Sequence, residues 1–275
     1  MQVTFINNTP MRSGVFAAHL LALIARVDRR RHTVNFVTLR QEQPFEPVQR
    51  VVNGELLFWR RSSYGKVSRV LRASDVVVCR NYGAAFLALV LKKVMRARYR
   101  VHADLRGGVP DEILAYGRFP KNYLLYPPAK LMERVIVRSS TSISCVSGPF
   151  REYLLERGAN PATTTVVPNG ADMARCAFDP AARAAVRKEL ALEDNLVFVF
   201  SGSVRSSARP DRIVRLFKAI HAANSRARLL ILTPNTALFA ALCKDIGVSA
   251  FTMRTLDPDQ VPRYLMAADY AFLAA

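Results

Sequence analysis

The chain has little of what usually marks a specialised site. One Trp, four His and four Cys occur in 275 residues, and Cys79, Cys145, Cys176 and Cys243 are widely spaced with no C-x-x-C pair. That spacing supports neither a zinc site nor a disulfide framework, so the thiols read as reduced and mostly core. Nowhere is there a run of about 18 uncharged apolar residues to cross a bilayer. The N-terminus enters a strand at once, without the basic head, apolar core and cleavage site of a secretory signal, and the expectation is a cytosolic protein. G-x-G-x-x-G and G-x-x-x-x-G-K-[ST] are both absent, which removes the dinucleotide fingerprint and the Walker loop.

Acids are scarce too: 21 Asp+Glu face 40 Lys+Arg, for a net charge of +19. To Pro168 the count is 26 basic against 11 acidic, or +15, and from Asn169 onward 14 against 10, or +4. The excess therefore sits in the first half. Such a half-molecule attracts anionic partners: nucleic acid, an acidic membrane face or phosphate-bearing substrates. A length of 275 residues at 51% hydrophobic composition suggests two domains, at roughly 100–200 residues each.

What is present is an alternation of strands and helices. Residues 142–172, SISCVSGPFREYLLERGANPATTTVVPNGAD, predict a strand, a break at Ser147-Gly148-Pro149, a helix, a loop and a second strand. Pro149 suits a first helical position, Ser147 or Gly148 can cap it, and Gly158 closes it. Pro168-Asn169-Gly170 then reads as a domain boundary, dividing residues 1–168 from 169–275. Upstream, residues 3–6 predict a strand, the loop 7–14 follows, and Phe16, Leu20, Leu23, Ile24 and Val27 keep helical spacing. Further strands are expected at 33–39, 75–79 (DVVVC, apolar enough for burial on both sheet faces) and 99–104, with a basic helix near 64–73 and another helix near 123–137. The helix at 83–98 joins an apolar run to Lys92, Lys93, Arg96 and Arg98. It either packs on the sheet or lies in an anionic membrane interface.

The strand at 99–104 delivers Asp104, then Arg106, Gly107 and Gly108. Asp104 could orient or deprotonate a hydroxyl and Arg106 hold a phosphate; the plainer reading is that the two pair while the glycines turn the chain. Beyond the boundary the pattern restarts with a helix at 181–190, a strand at 195–200 and the loop Ser201-Gly202-Ser203-Val204-Arg205-Ser206-Ser207-Ala208-Arg209 before Pro210 opens a helix. A small-residue loop with two arginines at a helix N-terminus suits a diphosphate. A strand at 229–232 ends in Thr233-Pro234-Asn235, a helix is expected at 262–268 and a strand at 269–273.

SCVSGPFREYLLERG, VVPNGAD, VFVFSGSVRSSARPDRIVRLFKAI, LLILTPN and VPRYLMAADYAFL, in this order, resemble the central and C-terminal part of a GT-B glycosyltransferase of the retaining family 4 type. SGVFAAHLLALIARV and VHADLRGGVPDE resemble the same family's acceptor-domain Gly loop and the loop after its fourth strand. The resemblance implies two Rossmann-like doubly wound α/β domains facing a cleft. The first would bind a lipid-linked or polysaccharide acceptor and the second a nucleotide-diphosphate-sugar, with no metal and no cofactor. It implies Asp104 as the residue beside the reacting sugar, Ser13, Gly14 and Arg106 on the acceptor side, and Gly202, Ser203, Arg205, Arg209, Asn235 and Arg254 around the donor. It also implies work on polysaccharide, while the basic first half leaves open a peripheral place at the inner face of the cell membrane for an otherwise cytoplasmic protein.

The family's Glu-x7-Glu region lies beyond the last residue, so the second domain is expected to be incomplete and activity reduced or lost. Two other classes stay open at this stage: a non-catalytic remnant or partner-binding subunit, and a basic nucleic-acid-binding protein. The last rests on charge alone, since no helix-turn-helix, finger or aromatic-rich basic motif supports it.

Overall fold

A computed structural model describes residues 1–11, 20–41, 43, 45–170, 173–204 and 209–273. Ser13, Gly14 and Arg205, together with most of the helix expected after residue 14, lie outside the described residues. The chain divides into two compact units, Met1–Gly170 and Ala171–Ala275.

In the first unit seven strands form one parallel sheet: β1 (Gln2–Asn7), β2 (Thr33–Thr38), β3 (Leu56–Phe58), β4 (Val76–Arg80), β5 (Arg100–Leu105), β6 (Ser142–Cys145) and β7 (Thr164–Val166). Their order is β3-β2-β1-β4-β5-β6-β7. Neighbouring residues on one strand feed different cores. Phe5 and Phe36 pack with Met11, Leu20 and Ile24, whereas Ile6 and Val37 join Val77, Val101 and Ile143. This is a sheet covered on both faces, which explains why its strands read as unbroken apolar runs. The helices are α1 (Ala22–Ala25), α2 (Glu46–Val51), α3 (Tyr64–Ala73), α4 (Asn81–Val94), α5 (Val109–Tyr116), α6 (Lys121–Ser139) and α7 (Gly148–Glu156).

Local chemistry explains the best-punctuated stretch. Ser147 is the N-cap of α7, its Oγ accepting the Phe150 N–H at 3.3 Å, and Pro149 occupies the first turn. Gly158 ends the segment at φ +93°, a conformation that glycine adopts without strain. Leu154 is fully buried, and Phe150 stacks on Tyr153 at 5.6 Å.

Of the two readings of the helix near 83–98, packing on the sheet is the one the structure shows. In α4, Tyr82, Ala84, Ala85, Ala88 and Leu91 are buried, so its apolar face is already spent in the core. Among the described residues no helix is long and apolar enough to cross a membrane.

The second unit holds α8 (Pro180–Glu189), β8 (Leu196–Ser201), α9 (Pro210–Ala223), β9 (Ala227–Leu232), α10 (Thr236–Leu242), β10 (Phe251–Arg254), α11 (Val261–Leu265) and β11 (Tyr270–Ala271). Its parallel sheet is ordered β10-β9-β8-β11. From β8 the chain winds outward through β9 to β10, then returns to place β11 on the other side of β8. The loop leaving β8 thus stands at a topological switch point, where open α/β sheets gather ligands at the strands' carboxyl ends. The last strand is shorter than the sequence predicts, and β10 joins the sheet without having been foreseen.

Candidate functional site

In the first unit, winding direction reverses between β1 and β4. Asn7, at the end of β1, is fully buried and closes a local turn, its Oδ1 accepting the Thr9 N–H at 3.0 Å. Asn81, just after β4, has φ +72° and donates from Nδ2 to Thr9 Oγ1 at 3.1 Å. A side chain held in that left-handed region is uncommon outside glycine, and Asn tolerates it better than most.

Strand register sets Arg80 of β4 opposite Asp104 of β5. Arg80 Nη1 lies 2.6 Å from Asp104 Oδ2, and both side chains are buried. Arg106 Nε reaches the same carboxylate at 2.9 Å, and Ser144 Oγ on β6 donates to Oδ1 at 2.8 Å. Since the one Ser144 proton goes to the carboxylate, its oxygen accepts from His102 Nε2 at 3.1 Å, which leaves Nδ1 to accept from Ser142 Oγ at 2.8 Å. Burial lowers the His102 pKa below its usual 6.5, ahead of the opposing pull of Asp104. For Asp104 burial alone would raise the pKa. The hydrogen bonds from Ser144 and Arg106 and the charges of Arg106 and Arg80 outweigh that and hold it below the ordinary carboxylate value.

An ionised carboxylate saturated in this way is a weak proton acceptor and a strong anchor. Of the roles read from the sequence, this geometry favours pairing. Arg106 is similarly engaged, donating from Nη1 to Val167 O at 3.0 Å and Asn169 Oδ1 at 3.2 Å. It ties the end of β5 to the Pro168-Asn169-Gly170 stretch instead of standing free for a phosphate. At the N-terminus of α5, Asp111 and Glu112 occupy the first turn, so the chain's own carboxylates already meet that helix dipole. Arg80 and Ser144 are the members that sequence reading missed.

In the second unit three strand ends are laced together. The Gly202 N–H donates to Leu232 O at 2.9 Å, and Asn235 Oδ1 accepts the Val204 N–H at 2.8 Å, joining the loop after β8 to the loop after β9. Thr233 donates its N–H to Arg254 O at 3.0 Å and accepts the Thr255 hydroxyl at 2.9 Å, adding the end of β10. Gly202, Ser203, Asn235 and Arg254 therefore share the carboxyl end of one sheet. Arg209 caps the start of α9 and pairs with Asp211 at 2.9 Å on the surface. An exposed pair of this kind contributes little and is readily exchanged for a ligand anion.

Gly202 has φ +145°, and a Cβ built there meets no atom within 4 Å. Any cost of Gly202→Ala is then backbone strain alone. We expect about 1–3 kcal/mol lost in denaturant unfolding of the second unit.

A cavity of about 680 Å³ lies at the opposite, amino end of this sheet, lined by Arg183, Arg187, Asp194, Asn195, Arg226 and Asp269 among others. Arg183 and Arg187 both pair with Asp269, and Arg226 donates to the Asp194 carbonyl. Arg187 donates to Leu192 O, Ala267 O and Asp269, and Asp269 also accepts the Val197 N–H. The cavity reads as the sheet's structural base. No group of three or more His, Cys, Asp or Glu side chains that could hold a metal occurs among the described residues.

Comparison with known proteins bears on both units. No curated protein matches the chain in sequence. Among solved structures it resembles Anabaena HepE in complex with UDP-glucose, with TM-score 0.73 at 12% identity, covering 98% of this chain and 73% of that one. It also resembles the sucrose-phosphate synthase of Thermosynechococcus elongatus, with TM-score 0.64 at 15% identity over 98% and 74%. A third is the lipopolysaccharide outer core galactosyltransferase WaaB, with TM-score 0.58 at 12% identity over 98% and 73%. At these identities the likeness shows the shared GT-B fold. The family model described as Glycosyltransferase Family 4 matches residues 16–175, more than half of the sequence. The chain therefore belongs to glycosyltransferase family 4.

Proposed function

We propose that the chain moves a sugar from a nucleoside diphosphate sugar, held by the second unit, to a lipid-linked or polysaccharide acceptor bound by the first. In this reading it works as a peripheral protein on the inner face of the cell membrane. The observation that carries the donor half is the lacing of Gly202–Val204, Thr233–Asn235 and Arg254 at the switch point of the second sheet. HepE, a structural neighbour, binds UDP-glucose.

Each residue then has a physical task. Gly202 and Ser203 lie beneath the phosphates, where the absence of a Cβ lets the backbone approach. Arg205 and Arg209, with the N-terminus of α9, stabilise the negative charge that builds on the leaving diphosphate. Asn235 and Arg254 border the base and ribose. Ser13, Gly14 and Arg106 are assigned to the acceptor side. Asp104 holds Arg80 and Arg106 in place as a buried anchor rather than taking a proton.

A thermal-shift panel of UDP, GDP and ADP tests this. A ligand that binds only the folded state at about 100 times its Kd stabilises by about 2.7 kcal/mol, so one of the three should raise the melting temperature by several degrees. A flat response to all three would remove the donor site. Asn235→Ala releases the Val204 N–H and loosens the loop. Titration calorimetry should find nucleotide affinity reduced about fivefold, the worth of one oriented hydrogen bond.

A further inference from the structure

The two helices α5 and α6 and the residues between them carry a surface that the core does not use. On α6 the inward face is Asn122, Ala129, Glu133, Ile136 and Val137. The outward face, offset by about half a turn, runs Leu124, Pro127, Leu131, Arg134 and Arg138, with Tyr123 and Pro128 beside it; all of these are exposed. The N-terminal half of α6 thus carries an outward apolar face that is exposed. Phe119 is 81% exposed, Leu124 72% and Leu131 64%, and Tyr116 and Leu125 are exposed as well. Phe119 and Tyr123 meet edge to face at 6.0 Å, so they form one aromatic prominence. Soluble monomers rarely leave such a patch open without a partner.

From residue 113 to residue 139 the exposed charges have one sign; the acids Asp111 and Glu112 stand at the far, N-terminal end of α5. Arg118, Lys121, Arg134 and Arg138 are exposed, and the one acid between residues 113 and 139, Glu133, is buried. A second copy laid on this face would set cation against cation. An acidic lipid surface satisfies both components: apolar side chains enter the acyl boundary, aromatic rings sit at headgroup level, and Lys and Arg meet lipid phosphates. The platform is also braced from beneath. Glu133 accepts from Tyr82 on α4 at 3.0 Å and from Lys130 at 3.2 Å, while the one Tyr153 hydroxyl proton on α7 goes to Asp111 on α5 at 2.6 Å.

We propose that α5, α6 and their connection form the surface by which the chain docks on an anionic bilayer, with Phe119, Leu124 and Leu131 inserted and Arg118, Lys121, Arg134 and Arg138 at the headgroups. The proposal builds on the lipid-linked acceptor suggested above, but it is read out without any sugar or nucleotide. The first unit's charge of +15 to Pro168 adds long-range attraction.

The test is flotation of the full chain with vesicles of phosphatidylcholine alone and of phosphatidylcholine mixed with phosphatidylglycerol. The chain should float with the mixed vesicles and far less with the neutral ones. Combining Phe119→Ser, Leu124→Ser and Leu131→Ser should weaken flotation about tenfold or more. So should combining Arg118→Glu, Lys121→Glu and Arg134→Glu, on anionic vesicles only. Every substitution falls on an exposed side chain, and a cooperative melting transition of each variant, recorded without ligand, reports that it is folded. Absence of wild-type flotation with anionic vesicles, equal flotation with neutral ones, or a triple serine variant that floats like wild type would overturn the proposal. So would a dimer that the serine variant dissolves. A chain that floats as expected yet ignores all nucleotides would leave the docking surface standing and remove only the donor site.

Discussion

Asp104→Ala should lower the stability of the first unit by about 3–5 kcal/mol, because it strands the buried Arg80 guanidinium without its counter-charge. Trp59, the only tryptophan, lies in that unit, so its fluorescence follows the relevant transition in denaturant. Replacing both partners, Arg80→Met with Asp104→Leu, should cost less than Asp104→Ala alone, since no buried charge is left unpaired. Arg106 is nearer the surface and can turn toward water. If the double variant were as unstable as the single one, the loss would lie in packing or in Ser144 and not in the ion pair.

The same carboxylate gives a pH dependence with a definite sign. Its folded pKa lies below the ordinary 3.8. The stability it contributes is then complete above that value and disappears as pH falls through the folded pKa. Asp111 and Asp269 are depressed as well, each against burial by the hydrogen bonds and cations around it, so they add to acid instability in their own units. Asp104→Asn should flatten the acid limb of the first unit's stability profile. An unchanged acid limb would mean that Asp104 does not titrate as the geometry requires.

Glu133→Ala is expected to have the second-largest effect, about 3 kcal/mol or more. Glu133 is almost fully buried and serves Tyr82 and Lys130 together, with Arg157 at 3.5 Å. Its removal leaves cations and phenols facing one another where α4, α5, α6 and α7 meet. Burial and the hydrogen bond to Asp111 have already pushed the Tyr153 pKa up to about 12, so the phenol cannot ionise to replace the lost acceptor near neutral pH. Glu133→Gln keeps the shape and most hydrogen bonds and should cost less than half as much. Because this cluster braces α6, Glu133→Ala should also weaken vesicle flotation, although it touches none of the exposed side chains.

Much of this architecture is legible along the chain because it is made by near neighbours. DVVVC predicts β4, the Ser147-Gly148-Pro149 sequence predicts the cap and first turn of α7, and Thr233-Pro234-Asn235 marks the turn that clamps the loop after β8. Elements with weak local signatures escaped. The strand β10, FTMR, alternates too briefly to read, and β3 is only three residues long.

The site was harder for a different reason. Arg80 and Asp104 are 24 positions apart and meet only because β4 and β5 are adjacent in the sheet, in register. Parallel pairing of two strands that both end in charge was the available signal. The face of α6 was hidden for another reason. YLLYPPAKLM reads as an apolar helix whichever way it turns, and only the position of Glu133 against the core shows that Leu124 and Leu131 point outward.

The claim on which the account depends is that the carboxyl ends of β8, β9 and β10 hold a nucleoside diphosphate. Hydrogen–deuterium exchange with and without saturating UDP, followed by GDP and ADP, tests it most directly. The account predicts that the effective nucleotide slows exchange at residues 201–204 and 233–236, while residues 193–196 and 224–226 around the opposite cavity stay unchanged. Protection at the opposite cavity, or at neither end with any of the three nucleotides, would contradict it.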